Sequence, residues 1–258
     1  MLASQRQDQI HKLIKTQGAV TVASLVEHFG VSVETIRRDL LTMEKAGLLR
    51  RVHGGAVAIT EMMPFHPLKH RAHAQNAQKE ALARTAVSLV QDGDYIAIGT
   101  GSTPMYLAQE LKAKKHDLTV VTYSLDVFEI LRDAPDFRLI LVGGQFYPEE
   151  NTFHGQLTLD TLEHLHVQKA FVFPFSISLE HGIGGYHETL CSLQKKLLQC
   201  CDQAYILADS SKFEHTALFK VAPMRPEYIY VTDPELPEAL QQLYAENGIT
   251  VITREEEE

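Results

Sequence analysis

The sequence predicts a two-part chain, a small three-helix unit at the N-terminus followed by a larger α/β domain with a mainly parallel sheet. Three observations predict it. The first 45 residues place apolar side chains at helical spacing between glycines. After Asp92, short apolar runs rich in β-branched residues alternate with helical stretches. Charge also divides between the parts: residues 1–58 carry eight Lys or Arg against five Asp or Glu, and the remainder carries 16 against 28. A basic head on an acidic body fits a module that meets a polyanion, joined to a domain with another task.

Composition bounds the class. Hydrophobic residues make up 45%, enough for an ordinary packed core. No stretch approaches the ~20 apolar residues of a membrane span, and MLASQRQDQIHKL lacks the apolar segment of a secretory signal. Cys191, Cys200 and Cys201 form no CxxC, and their odd number argues against a disulfide framework. A reducing cytoplasm is the expected location, with no membrane partner.

In the head, a first helix is expected over about Arg6–Thr16, with Ile10, Leu13 and Ile14 on one face and Gly18 ending it. A second covers about Val22–His28, turning inward Val22, Leu25, Val26 and Phe29. Gly30 occupies the turn, and Ser32 is placed to cap a third helix that buries Ile36, Leu40 and Met43. Helix, short glycine turn and helix is the helix-turn-helix plan, whose second helix enters the DNA major groove. Ser32, Glu34, Thr35, Arg37 and Arg38 cluster on the outer N-terminal half of that helix. A threonine hydroxyl reaches phosphate or a base edge, and arginine takes guanine or phosphate. After Gly47, LLRRVHGGAVAI reads as a β-hairpin wing carrying Arg50, Arg51 and His53 towards the adjacent backbone or minor groove. Any small amphipathic three-helix unit would share part of this pattern.

The run SVETIRRDLLTMEKAGLLRRVHGGAV resembles the N-terminal signature of DeoR-family bacterial repressors, in which a T-I-R-R-D-L recognition helix leads into an R-x-H-G-G-A wing. The resemblance implies a winged helix-turn-helix over residues 1–58, double-stranded operator DNA as partner, and Thr35, Arg37 and Arg38 as the leading contacts.

Residues 59–76 mix Pro, His, Lys and Gln without a period and read as a linker, running into a helix from about Gln78 to Val90. His66, His70 and His73 invite a metal reading, but no Cys or carboxylate stands beside them at ligand spacing. A solvated joint is expected, with no metal and no cofactor.

The larger domain spans residues 77–254. Its strand candidates are 95–99, 118–122, 138–144, 169–175, 204–209, 228–233 and 249–253, with helices such as Met105–Leu111, Leu125–Leu131 and Glu188–Cys200 between them. Ligands in such sheets bind beyond the carboxyl ends of the strands. The first strand runs into Thr100-Gly101-Ser102-Thr103, then Pro104 and a helix, with Thr103 as the expected N-cap. That turn aims backbone N–H groups and hydroxyls at one point ahead of a helix dipole, which suits a phosphate. Gly99-x-Gly101 lacks the third glycine of a dinucleotide fingerprint, and no Gly-Lys-Ser/Thr of a Walker loop is present. A tight turn with ordinary capping is the plainer alternative. Tyr123 and Ser124, Gly144, Glu188 and Lys212 follow other strands and complete a polar pocket for a phosphorylated sugar or polyol.

LVQDGDYIAIGTGST, LTVVTYSL, LILVGGQF, FHGQL, KAF and LADSSKF resemble successive blocks of the DeoR-family sensor domain, itself similar to ribose-5-phosphate isomerase. The resemblance implies a phosphorylated sugar or sugar-alcohol inducer of a catabolic operon. It assigns the phosphate to Thr100, Gly101, Ser102 and Thr103, and the rest of the ligand to Tyr123, Ser124, Gly144, Glu188 and Lys212. One departure matters. Phe175-Ser176 stands where family members commonly have Asp-Gly. That substitution removes a base or hydroxyl acceptor, so no catalytic residues are expected and the inducer is expected to be less hydroxylated; Phe175 serves equally well as a core residue. A homo-oligomer, dimer or tetramer, is expected because one helix-turn-helix gives little affinity alone. The alternative is an isomerase-like enzyme with a fused DNA-binding head, for which Glu188 is the evident carboxylate.

Overall fold

The computed structural model describes residues 1–59 and 61–254. The head comprises α1 (Ala3–Gln17), β1 (Ala19–Thr21), α2 (Val22–Phe29), α3 (Val33–Lys45), β2 (Arg50–Val52) and β3 (Gly55–Val57). Left-handed glycines at 18 and 30 close α1 and α2. The Thr21 and Ser32 hydroxyls cap α2 and α3 by accepting the Ser24 and Thr35 N–H groups. Ile10, Ile14, Leu25, Ile36, Leu40 and Met43 form one buried cluster. Beneath it Arg6 Nε donates to Asp39 Oδ2 at 2.5 Å, fastening α1 to α3. The wing has three strands in the order β1-β3-β2, all antiparallel, so the link between the first two helices is itself a strand.

The joint is built rather than bare. Within the expected linker, where Thr60 lies outside the described residues, are β4 (Glu61–Met62) and α4 (Leu68–Arg71). Then come α5 (Asn76–Ser88), β5 (Tyr95–Ile98), α6 (Thr103–Lys114), β6 (Thr119–Thr122), α7 (Leu125–Leu131), β7 (Arg138–Leu141), β8 (Gln145–Tyr147) and β9 (Thr152–His154). The chain continues with α8 (Gln156–Glu163), β10 (Val167–Val172), β11 (Ser176–Ser178), β12 (Gly182–Gly185), α9 (Glu188–Leu197) and β13 (Cys201–Leu207). Last are β14 (His215–Thr216), β15 (Phe219–Ala222), β16 (Ile229–Val231), α10 (Glu238–Glu246) and β17 (Thr250–Ile252).

All seven expected strands fall in one sheet of order β17-β16-β13-β10-β5-β6-β7, and every pairing in it is parallel. Alternate side chains serve two cores, as period-2 strands covered on both faces require. Ile96, Ile98 and Phe171 meet Leu82, Leu107 and Val127 of α5, α6 and α7. Ala97, Val172 and Ile206 meet Leu162, Leu193 and Leu243 of α8, α9 and α10. The head joins this second core through Ala19 and Val57. Small sheets β11-β12-β15, β8-β9 and β4-β14 decorate the strand ends. Among the described residues no helix is long and apolar enough to cross a membrane, and no group of three or more His, Cys, Asp or Glu could hold a metal ion.

Candidate functional site

Strand order selects the site. From β5 the chain builds outward through β6 and β7 on one side, and on the other through β10, β13, β16 and β17. The β5–β10 boundary is therefore a switch point, where adjacent connections depart in opposite directions and leave a crevice at the carboxyl ends. Thr100–Thr103 follow β5, Phe173–Phe175 follow β10, and Asp209–Lys212 follow β13. These three segments line one cleft, with a cavity of about 210 Å³ beside it.

The roof comes from the joint. Arg71, at the end of α4, pairs with the buried carboxylate of Glu150 and lies 4.5 Å from the centroid of the Phe175 ring. Its Nε donates to the His66 carbonyl at 2.8 Å. Lys79 of α5, buried, donates to the Arg71 and Ala74 carbonyls and so pins the turn between α4 and α5. Lys212 Nζ sits 3.7 Å from Asp209 Oδ2 and donates to the Pro174 carbonyl at 3.4 Å. Thr100 Oγ1 donates to the Glu150 carbonyl at 3.4 Å. Met63, Pro64 and Phe175 give the larger cavity an apolar wall.

Cations outnumber carboxylates at the cleft. Three cations, Arg71, Lys79 and Lys212, face two carboxylates, Glu150 and Asp209, at the end of β5. Burial pushes Lys212 below the ordinary lysine range, opposed by Asp209. Burial, then the Lys212 and Arg71 charges, push Lys79 down to about 8. Thr103 Oγ1, Glu150 Oε1 and Gln194 Oε1 line the same cleft without a hydrogen-bond partner among the described residues. Buried polar atoms are normally paired, so the two acceptor oxygens and the hydroxyl call for donors from water or another polar group.

Of the pocket residues expected from sequence, Thr100, Gly101, Ser102, Thr103 and Lys212 are brought together. Ser102, rather than Thr103, occupies the N-cap of α6, and its side chain makes no capping bond. The other four lie elsewhere. Tyr123 is buried in the core behind the β5 end, its hydroxyl 3.3 Å from where a Cβ on Gly99 would stand. Ser124 caps α7 by accepting the Val127 N–H. Gly144 is required by close approach, since a Cβ there would stand 2.1 Å from Thr158 Oγ1. Glu188 is exposed in the first turn of α9, where an acid suits the helix dipole.

The head presents Ser32, Arg37 and Arg38 exposed and Thr35 partly so on α3. Arg37 shares a groove with Arg51 and His53 of the wing. Arg51 Nε pairs with Glu44 at 2.8 Å and remains exposed. Gly55 lets β3 approach β1, because a Cβ would meet the Val20 carbonyl at 2.1 Å. Asp39, inside the T-I-R-R-D-L motif, is taken up by Arg6 and Gln7. Arg50 turns away from this surface to Glu180 and Glu214 of the larger domain.

Residues 6–62 match the DeoR-like helix-turn-helix domain, and residues 74–234 match the DeoR C terminal sensor domain. The chain belongs to the DeoR family. It is 30% identical over 229 residues to the transcriptional repressor AccR of Agrobacterium fabrum, covering 88% of each chain. It is 29% identical to the HTH-type transcriptional repressor GlcR of Bacillus subtilis, covering 100% of this chain and 99% of that one. With the lactose phosphotransferase system repressor of Lactococcus lactis it shares 32% identity, covering 83% and 84%. Among solved structures, ribose 5-phosphate isomerase A from Neisseria gonorrhoeae is 17% identical with a TM-score of 0.41, covering 57% of this chain and 56% of that one.

This DeoR-family chain is thus a DNA-binding transcriptional regulator with a sensor domain. Four pocket groups escaped sequence reasoning. Arg71 stood in a stretch read as solvated joint, Lys79 on a helix read only for its apolar face, and Glu150 in a segment assigned no element. Asp209, a carboxylate immediately after an apolar strand, belongs to the same strand end as Lys212 but was given no role in the site.

Proposed function

We propose that this DeoR-family regulator represses a carbohydrate or polyol catabolic operon and is released from its operator by a phosphorylated sugar or sugar alcohol. The observation that carries the reading is the convergence of Arg71, Lys79 and Lys212 on the Thr100–Thr103 turn. Hydroxyls, turn N–H groups and three cations supply the charge-assisted bonds that a phosphate dianion takes. The apolar wall of Met63, Pro64 and Phe175 favours a ligand body with few hydroxyls. Two relatives bear the name lactose phosphotransferase system repressor, which supports a carbohydrate operon.

On the DNA side, Ser32, Thr35, Arg37 and Arg38 of α3 meet the major groove, with Arg51 and His53 of the wing beside it. The protein acts in the cytoplasm as a homo-oligomer, dimer or tetramer, so that two heads read spaced half-sites. The test is a thermal-shift panel on the full-length chain with glucose 6-phosphate, fructose 6-phosphate, ribose 5-phosphate and glucitol 6-phosphate, each beside its unphosphorylated parent. At least one phosphorylated member is expected to raise the melting temperature while its parent leaves it unchanged. Equal response to a parent and its phosphate would refute the phosphate assignment.

A further inference from the structure

Six residues, Asp209–Glu214, run from the cavity to the head. At one end Asp209 and Lys212 line the cavity. At the other, Glu214 is buried and holds a left-handed backbone with φ 55, a conformation disfavoured for a residue with a β-carbon. Its Oε1 accepts the Tyr244 hydroxyl at 2.6 Å and the Leu179 N–H at 3.1 Å, and its Oε2 accepts Arg50 Nη2 at 3.2 Å. Arg50 Nη1 pairs with Glu180. Four places in the fold thus meet at one carboxylate: the wing strand β2, the β11–β12 turn, helix α10 and the cavity loop. His215 is the other titratable group close by.

The surroundings make this contact a joint rather than a surface ion pair. Helix α10 is the shelf on which the head rests: Leu240 packs against Gly18, and Asn247 Nδ2 donates to the His53 carbonyl at 3.1 Å. Tyr244 of α10 stands edge-on to Phe213 at 5.6 Å, so consecutive residues of the cavity loop, 213 and 214, both engage it. A carboxylate buried here depends on its cationic partner, and separating the two leaves it held by the neutral Tyr244 and Leu179 donors alone. Small displacements in such a packed, paired element resolve into alternative arrangements rather than graded drift.

We propose that the Glu214–Arg50 contact is the joint through which the state of the cavity sets the position of the DNA-binding head. The proposal rests on the reading that an anionic effector binds beside Lys212. Such an anion competes with Asp209 for the Lys212 ammonium, shifts the short turn between them and Glu214, and loosens the carboxylate from Arg50. The wing is then freed to leave α10. Glu214 touches neither effector nor DNA and is a positioning residue.

The test is amide hydrogen exchange on the full-length protein, read over residues 50–57 of the wing. Glu214→Gln is expected to speed exchange there about tenfold while strands β5 and β10 stay unchanged. Arg50→Gln, made from the head side, is expected to give the same result, which keeps the test decisive should Glu214→Gln fail to fold. Asp209→Asn is expected to speed wing exchange in the wild-type background and to add nothing in the Glu214→Gln background. Additive effects, or an unchanged wing in both single variants at the joint, would overturn the proposal. Exchange is also measured with each of the four sugar phosphates named above. If none stabilises the protein while the Asp209–Glu214 cycle stays non-additive, the effector reading fails and the joint stands. If one stabilises the sensor but leaves wing exchange unchanged, the joint fails and the effector reading stands.

Discussion

The guanidinium of Arg71 lies over the face of Phe175, 4.5 Å from the ring centroid, while its Nη2 holds the buried carboxylate of Glu150. The first residue belongs to the joint between the domains and the second to the end of a central strand, so the joint closes over the cavity. Phe175, which stands where the family resemblance would place an aspartate, thereby supports a cation. Its ring also packs among Phe65 and Tyr186, at 5.9 and 5.5 Å, which orders that rim.

Arg71→Ala is expected to weaken sugar-phosphate binding about tenfold to a hundredfold in titration calorimetry, because a charge-assisted phosphate contact is lost. Arg71→Lys should recover part of it as a point charge without the planar stack. Unchanged affinity in Arg71→Ala would remove the joint from the ligand site.

Phe175→Asp is expected to move preference towards more hydroxylated phosphates by about tenfold in the ratio of affinities, since a polar acceptor replaces an apolar wall. A uniform change across the panel would assign Phe175 to packing alone.

Lys79 supplies a pH signature. Its folded value of about 8 lies below the ordinary 10.5, so burial penalises the charged form. Below about pH 8 both folded and unfolded chains hold the proton, and the penalty is felt in full. Between about 8 and 10.5 the folded chain has released a proton that the unfolded chain retains, so this lysine's cost to stability fades as pH rises. A bound phosphate restores the charged form. Binding at about pH 9 should therefore take up a proton, read from calorimetry in two buffers of different ionisation heat, and affinity should fall as pH rises past 8. Lys79→Met should abolish the uptake; persistence of uptake would place the titration elsewhere.

Arg38→Ala is expected to weaken operator binding at least tenfold, to lower the salt dependence by about one phosphate contact if the side chain meets the backbone, and to leave sugar-phosphate binding intact. Loss of both activities in a folded variant would contradict the division of labour between the domains.

Asp39→Ala should destabilise the head by about 3–5 kcal/mol, because Arg6 is then buried beneath α3 without its partner. Replacing both residues by apolar side chains should cost much less, and a double-mutant cycle followed by thermal unfolding measures the difference.

How much of this was legible depended on whether the signal was local. The seven central strands declared themselves because each is a continuous apolar run bounded by polar turns, as burial on both faces demands. The glycine turns at 18 and 30 and the cap at Ser32 were readable for the same reason. The short sheet β11-β12-β15 was not, because SIS and GIGG carry little periodicity and gain their pairing from tertiary contacts. The Thr100–Thr103 turn was visible as a candidate anion site with Lys212 as its counter-charge, but Arg71 was not: it and its partner Glu150 lie 79 residues apart and meet only through the fold. Arg50 reads as a wing cation beside Arg51, yet only its neighbour lines the groove with Arg37, while Arg50 pairs with Glu214. Tyr123 followed a strand like the others but turned inward to fill the core behind Gly99.

The most direct measurement is the operator affinity of the full-length protein, at fixed salt, with each sugar phosphate of the panel and with its unphosphorylated parent. The expected result is that at least one phosphorylated compound weakens operator binding by about tenfold or more while its parent has no effect. Operator affinity indifferent to a sugar phosphate that demonstrably binds the sensor domain would contradict it.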